Sequence, residues 1–179
     1  MEKSTEQLYK IAGNIRLLIL DVDGVLTDGS IILDNEGNEF KAFHVRDGHG
    51  LKMLSRTGIQ IALITGRHSK VVERRAHELG ITEVYQKCFK KIVAYEQLLQ
   101  KFKVTDSEVA YIGDDIVDLP VLKKVGLPVA VADAVDETKD VAQFITQNRG
   151  GRGAVREVCD LILRAKGKWK ELLDEYDNT

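Results

Sequence analysis

The stretch Leu17-Leu18-Ile19-Leu20-Asp21-Val22-Asp23-Gly24-Val25-Leu26-Thr27-Asp28 runs four apolar residues straight into an acidic loop. An unbroken apolar run of this length fits a strand buried on both faces, and such strands belong to parallel sheets covered by helices. Outward from it, 59–64 and 109–112 read the same way, with weaker strands at 128–131 and 143–145. Helical patterns at 50–56, 69–79, 92–102, 117–125 and 154–165 fill the intervals. Strand alternating with helix predicts an α/β fold, a Rossmann-like three-layer sandwich around a central parallel sheet of five or six strands.

One segment breaks that rhythm. Residues 30–33 and 39–45 flank the turn-rich Asp34-Asn35-Glu36-Gly37-Asn38, which predicts a β-hairpin flap over about 29–45, too small to be a cap domain. Its Ile31, Ile32, Phe40 and Phe43 would be exposed unless a neighbouring subunit covers them, so oligomerisation is expected. The 179 residues carry no internal repeat or low-complexity linker, making one domain over 1–179 the expectation, with the C-terminal helix and tail at about 150–179.

Composition narrows the function classes. A net charge of -2, with 30% charged and 44% hydrophobic residues, suits a soluble globular chain and calls for no nucleic acid. No apolar run approaches the roughly 20 residues that span a bilayer, so no membrane partner is expected. The polar MEKSTEQLYK start and two cysteines without metal-site spacing, Cys88 and Cys159, point to a cytoplasmic protein with reduced packing thiols.

In open α/β sheets ligands bind beyond the carboxyl ends of the strands. Asp21 and Asp23 follow the first strand, Thr65-Gly66-Arg67 the second, and Gly113-Asp114-Asp115 with Asp118 a later one, while Lys91 heads the helix between. Five aspartates at one sheet edge repel each other unless a cation joins them. Mg2+, a hard ion that takes oxygen ligands and keeps water and phosphate oxygens in its shell, is the implied cofactor. With the charge balanced, a carboxylate can attack an anionic phosphorus, and Lys91 and Thr65 can hold the phosphoryl oxygens.

The ordered set D-x-D-G-V-x-T-D, T-G, lysine, then G-D-D-x-x-D resembles the haloacid dehalogenase superfamily. That resemblance implies Asp21 as nucleophile and metal ligand. It makes Asp23 the general acid/base and a metal ligand through its backbone carbonyl, Asp114 the third ligand, and Thr65 and Lys91 catalytic. A narrower resemblance rests on the hairpin, Phe43-His44-Val45-Arg46-Asp47-Gly48, Ile64-Thr65-Gly66-Arg67 and Gly150-Gly151-Arg152-Gly153-Ala154-Val155-Arg156-Glu157. Together these look like the capless 3-deoxy-D-manno-octulosonate 8-phosphate phosphatase family of lipopolysaccharide biosynthesis. It implies a phosphosugar substrate and a homotetramer whose neighbouring subunits complete each active site. It also implies a substrate surface drawn from Asp23, His44, Val45, Arg46, Asp47, Gly48, Lys52, Gly66, Arg67, Arg75 and Lys91. Arginines there suit a sugar that carries a carboxylate besides its phosphate. Phosphatases of nonulosonate 9-phosphates are the alternative, and Arg67 favours the octulosonate. A phosphoaccepting receiver module also combines an acidic cluster, a threonine and a lysine, but carries its phosphoacceptor alone at a later strand, whereas here D-x-D leads.

Overall fold

The computed structural model describes residues 5–177. Helix α1 (Thr5–Gly13) leads into β1 (Leu17–Leu20), and the short strands β2 (Ile32–Leu33) and β3 (Glu39–Phe40) precede helix α2 (Val45–Arg56). Next come β4 (Gln60–Ile64), α3 (Lys70–Leu79), β5 (Glu83–Tyr85), α4 (Lys91–Phe102) and β6 (Val109–Gly113). A 3-10 turn at Ile116–Asp118 then opens the one-turn helix α5 (Leu119–Leu122). The chain finishes with β7 (Leu127–Ala130), α6 (Asp136–Val141), β8 (Phe144–Ile145), α7 (Ala154–Ala165) and α8 (Trp169–Asp177).

Six strands form one parallel sheet in the order β5-β4-β1-β6-β7-β8. Side chains of β1 alternate between its faces. Leu18 and Leu20 enter the larger core with residues from α1, α2, α3 and α7, while Leu17 and Ile19 pack with Ala94, Tyr95 and Leu98 of α4 and Val121 and Leu122 of α5. All four β1 side chains are fully buried, as the apolar run required. Burying each contributes about 1.5–3 kcal/mol, so the acidic loop hangs from a firmly held central strand of the sheet. From β1 the chain moves out to β4 and β5, then returns to the other side of β1 as β6. This reversal opens a crevice at the carboxyl ends of β4, β1 and β6.

Several elements differ from the sequence expectation. Strand β5 was not foreseen, because three residues at a sheet edge with one aliphatic side chain give almost no pattern. Helix α2 starts at Val45, five residues before the expected position. Its Gly48 and Gly50 pack closely: a Cβ on Gly48 would lie 2.3 Å from the Arg75 guanidinium, and one on Gly50 2.9 Å from Arg156 Cδ. The hairpin pairs only Ile32 with Phe40 and Leu33 with Glu39, so its second strand ends well before Val45. Ile31, Ile32 and Phe40 are exposed as expected, and so is Leu33. Phe43 is not: it packs against the larger core, with the Arg75 guanidinium 5.7 Å above its ring. The expected helix over 117–125 contracts to the 3-10 turn and α5, with Pro120 in the first turn. Both cysteines are free, and Cys159 is fully buried.

Candidate active site

Three strand ends deliver the site. Leu20 pairs with Leu63 of β4 and Ile112 of β6, so Asp21, Thr65 and Asp114 leave the sheet side by side. Asp21 is nearly buried; its Oδ1 accepts from the Val22 backbone N–H at 2.6 Å and its Oδ2 lies 2.7 Å from Lys91 Nζ. Gly24, with φ +87°, lets the loop turn under Asp114, since a Cβ there would lie 2.0 Å from Asp114 Oδ2. Thr65 Oγ1 accepts from the Arg67 backbone N–H at 3.3 Å, which leaves the hydroxyl proton free to donate.

Asp118 holds this group together. Fully buried, it accepts four hydrogen bonds: from Lys91 Nζ and Tyr111 OH at Oδ1, both 2.6 Å, and from the backbone N–H groups of Asp114 and Asp115 at Oδ2, 3.1 and 3.4 Å. Carboxylate oxygens of Asp21, Asp114 and Asp118 all lie within 4.8 Å of one another, the spacing of a metal site. Asp118 has little capacity left for an ion, whereas Asp114 Oδ1 is buried and has no hydrogen-bond partner among the described residues. Asp118 therefore orients Lys91 and the Asp114 backbone, while Asp114 supplies an open oxygen and each Asp21 oxygen, with one partner, keeps a lone pair for an ion. Burial pushes Asp21 up to about 6 against the pull of Lys91. Burial, reinforced by the charges of Asp21 and Asp118, pushes Asp114 up to about 7. Burial works against the Lys91 ammonium, but Asp21 and Asp118 outweigh it and hold the group above its ordinary value. Two crowded carboxyls whose ionisation is penalised, one with an orphaned oxygen, fit a hard divalent cation such as Mg2+.

Asp21, Asp23, Thr65, Gly66, Arg67, Lys91 and Asp114 all line one cleft of about 250 Å³, together with Asp115, Cys88, Phe89 and Val117. The remaining expected substrate residues lie elsewhere. His44 and Arg46 line a second cleft of about 230 Å³ with Asn148, Arg152, Gly153 and Arg156, and the two clefts share no residue. Asp47 is buried and accepts from the backbone N–H groups of Gly153 and Arg156, capping α7. Gly48 is buried beneath Arg75, Val45 is 76% exposed, Lys52 stands exposed on α2, and Arg75 reaches Glu78 at 3.3 Å. The glycine-rich turn neither floats free nor enters the cleft. Gly151 N–H donates to Val25 O at 2.8 Å, Arg152 pairs with Asp28 at 3.1 Å, and a Cβ on Gly150 would fall 1.7 Å from Gly24 O. It braces the acidic loop from behind.

Two supports escaped the sequence reading. Tyr111 shows only as an apolar strand residue, and its buried hydroxyl gains meaning through Asp118. Lys41 hydrogen-bonds Asp23 Oδ1 and lies 3.4 Å from Glu39 Oε1. A signal existed here, since residues 39 and 41 of an extended segment share a face.

Compared with known proteins, the chain is 54% identical over 160 residues to the 3-deoxy-D-manno-octulosonate 8-phosphate phosphatase KdsC of Escherichia coli K12, covering 89% of this chain and 85% of that one. The Yersinia pestis phosphatase of the same name is 55% identical over 163 residues, 91% of this chain and 87% of the relative. The chain belongs to the 3-deoxy-D-manno-octulosonate 8-phosphate phosphatase family. Within it, a Moraxella catarrhalis phosphatase solved with magnesium, phosphate and a KDO molecule superposes with a TM-score of 0.94 at 43% identity, covering 96% of this chain and 99% of that one. The haloacid dehalogenase-like hydrolase family also matches residues 79–158. This family membership agrees with the six-stranded parallel sheet and with the aspartate cluster at its edge.

Proposed function

We propose that the chain hydrolyses 3-deoxy-D-manno-octulosonate 8-phosphate to the free octulosonate and phosphate, with Mg2+ as cofactor and Asp21 as nucleophile. The observation that carries this is the pairing of Asp21 with the partnerless oxygen of Asp114 at adjoining strand ends, beside a lysine locked by Asp118. Membership of the phosphatase family supplies the substrate.

Bound between Asp21, Asp114 and the Asp23 backbone carbonyl, the metal would offset the repulsion between carboxylate and phosphate. A carboxylate oxygen of Asp21 attacks phosphorus, the bond from phosphorus to the sugar oxygen breaks, and Asp23 gives that oxygen its proton. Asp23 then takes a proton from water as the water attacks the aspartyl-phosphate, so the bond from Asp21 to phosphorus breaks and inorganic phosphate leaves. Lys91 has three N–H groups, of which Asp21 and Asp118 occupy two, leaving the third for a phosphoryl oxygen. The Thr65 hydroxyl serves another. Arg67, half exposed at the rim, would grip the sugar carboxylate.

The second cleft bears on assembly. His44 and Arg46 line a cleft that shares no residue with the one holding Asp21, so their role in substrate binding, with Lys52 and Arg75, is assigned to the site of a neighbouring subunit. The exposed apolar face of the flap supplies a surface for a homotetramer in which neighbours complete each site. Among the described residues no helix is long and apolar enough to cross a membrane. One domain working in the cytoplasm on a soluble phosphosugar completes the reading.

A side-by-side screen of octulosonate 8-phosphate, nonulosonate 9-phosphates and hexose phosphates tests the substrate. Highest kcat/KM on the octulosonate is expected. A preference for hexose phosphates would defeat the assignment.

A further inference from the structure

Lys41 inverts the usual order of burial. It follows β3 on a flap whose Ile32, Leu33 and Phe40 are about half exposed or more, yet its own side chain is 1% exposed. An ammonium loses hydration when buried and stays there only if charged partners meet it. Here Asp23 Oδ1 accepts a hydrogen bond from Lys41 Nζ, and Glu39 Oε1 lies 3.4 Å away. Arg67 closes the figure, with a guanidinium nitrogen 3.4 Å from Glu39 Oε1 and its Nε 3.9 Å from Asp23 Oδ2. Four charges of alternating sign thus form a ring, two from the flap and two from the cleft. Asp23 and Arg67 line the cleft, but Lys41 and Glu39 do not, so the flap pair faces the site only through its partners.

We infer that Lys41 is a positioning residue for Asp23, and Glu39 its counterpart for Arg67, so that the flap fixes the acid/base group of the cleft. This rests on the reading of Asp23 as acid/base. The reason lies in geometry. Asp23 projects from a loop, and the torsion that aims its carboxylate is broad and roughly two-fold. Proton transfer requires that carboxylate within about 2.6–3.2 Å of the leaving oxygen. Lys41, anchored by Glu39, holds one oxygen of Asp23 and so aims the other.

The test is a kinetic cycle on full-length, Mg2+-loaded enzyme with octulosonate 8-phosphate. Misplacing a reacting group by about 1 Å costs on the order of a hundredfold in rate. Lys41→Gln is accordingly expected to lower kcat by about ten- to a hundredfold, with KM within about threefold of wild type, and Lys41→Arg is expected to recover most of the loss. The same Lys41→Gln change made in an Asp23→Asn background should cost nothing further, because the route through Asp23 is already gone. With p-nitrophenyl phosphate, whose leaving group needs no proton, the first burst of nitrophenol should keep its wild-type rate in Lys41→Gln. Equal fold losses in both backgrounds, or a wild-type kcat for Lys41→Gln, would overturn the inference. If Lys41→Gln does not fold, Lys41→Met, which keeps the stem and removes the ammonium, carries the same comparison. A normal rate for Asp23→Asn alone would instead refute the acid/base reading itself.

Discussion

At the scale of single residues, the site is an arrangement of penalised charges. Asp21 and Asp114 are both held above the ordinary carboxylate range, chiefly by burial, at about 6 and about 7. Each group binds its proton more tightly folded than unfolded, so its contribution to stability is present at acidic pH and is lost as pH rises through the folded value. In metal-free protein, these two groups should lower the melting temperature between about pH 5 and pH 8. A divalent ion binds the ionised forms, so Mg2+ should raise the melting temperature more at pH 8 than at pH 5. Calorimetric scans at both pH values, with EDTA and with Mg2+, check this, and an equal Mg2+ shift at the two would contradict it. The aspartates and Lys91 were legible in sequence because each lies next to the end of a strand or the start of a helix, where a pattern in one dimension maps directly onto space. Asp118 was only half legible. Its spacing from Asp114 suits a helix-start acid as well as a support, and the decision comes from Tyr111 and Lys91, whose contacts no spacing reveals.

At the scale of elements, the sheet strands were readable because burial on both faces writes a continuous apolar run. Strand β5 and the first turn of α2 were not, since one is too short for a pattern and the other carries Gly48, which adds nothing to an apolar stripe. The glycine-rich turn before α7 shows the same limit: its composition suggests flexibility, while its contacts make it a brace. A Cβ on Gly150 would meet backbone, Gly24 O at 1.7 Å, so relief requires moving the loop that carries Asp21 and Asp23. Gly150→Ala should therefore cost at least about tenfold in kcat, since a small misplacement of reacting groups has that effect. Steady-state kinetics alongside circular dichroism separates this from unfolding, and a folded variant with wild-type kcat would contradict the bracing role.

At the scale of the whole molecule, two features face outward and are those the proposed assembly would cover: the apolar flap and the arginine-bearing cleft around His44 and Arg46. Placing charge on the flap with an Ile32→Asp and Phe40→Lys double variant should shift the protein to a smaller species in sedimentation velocity. The same variant should lose activity on octulosonate 8-phosphate. An unchanged sedimentation coefficient would remove the flap from the assembly account. Underneath both features lies the claim that Asp21 attacks the phosphorus. The measurement that bears on it most directly is phosphate release from octulosonate 8-phosphate, in saturating Mg2+, by wild-type protein and by Asp21→Asn, a substitution that keeps side-chain volume and removes the nucleophile. Wild-type protein is expected to turn over and a folded Asp21→Asn to release no phosphate above background; turnover by that variant at the wild-type rate would contradict attack by Asp21.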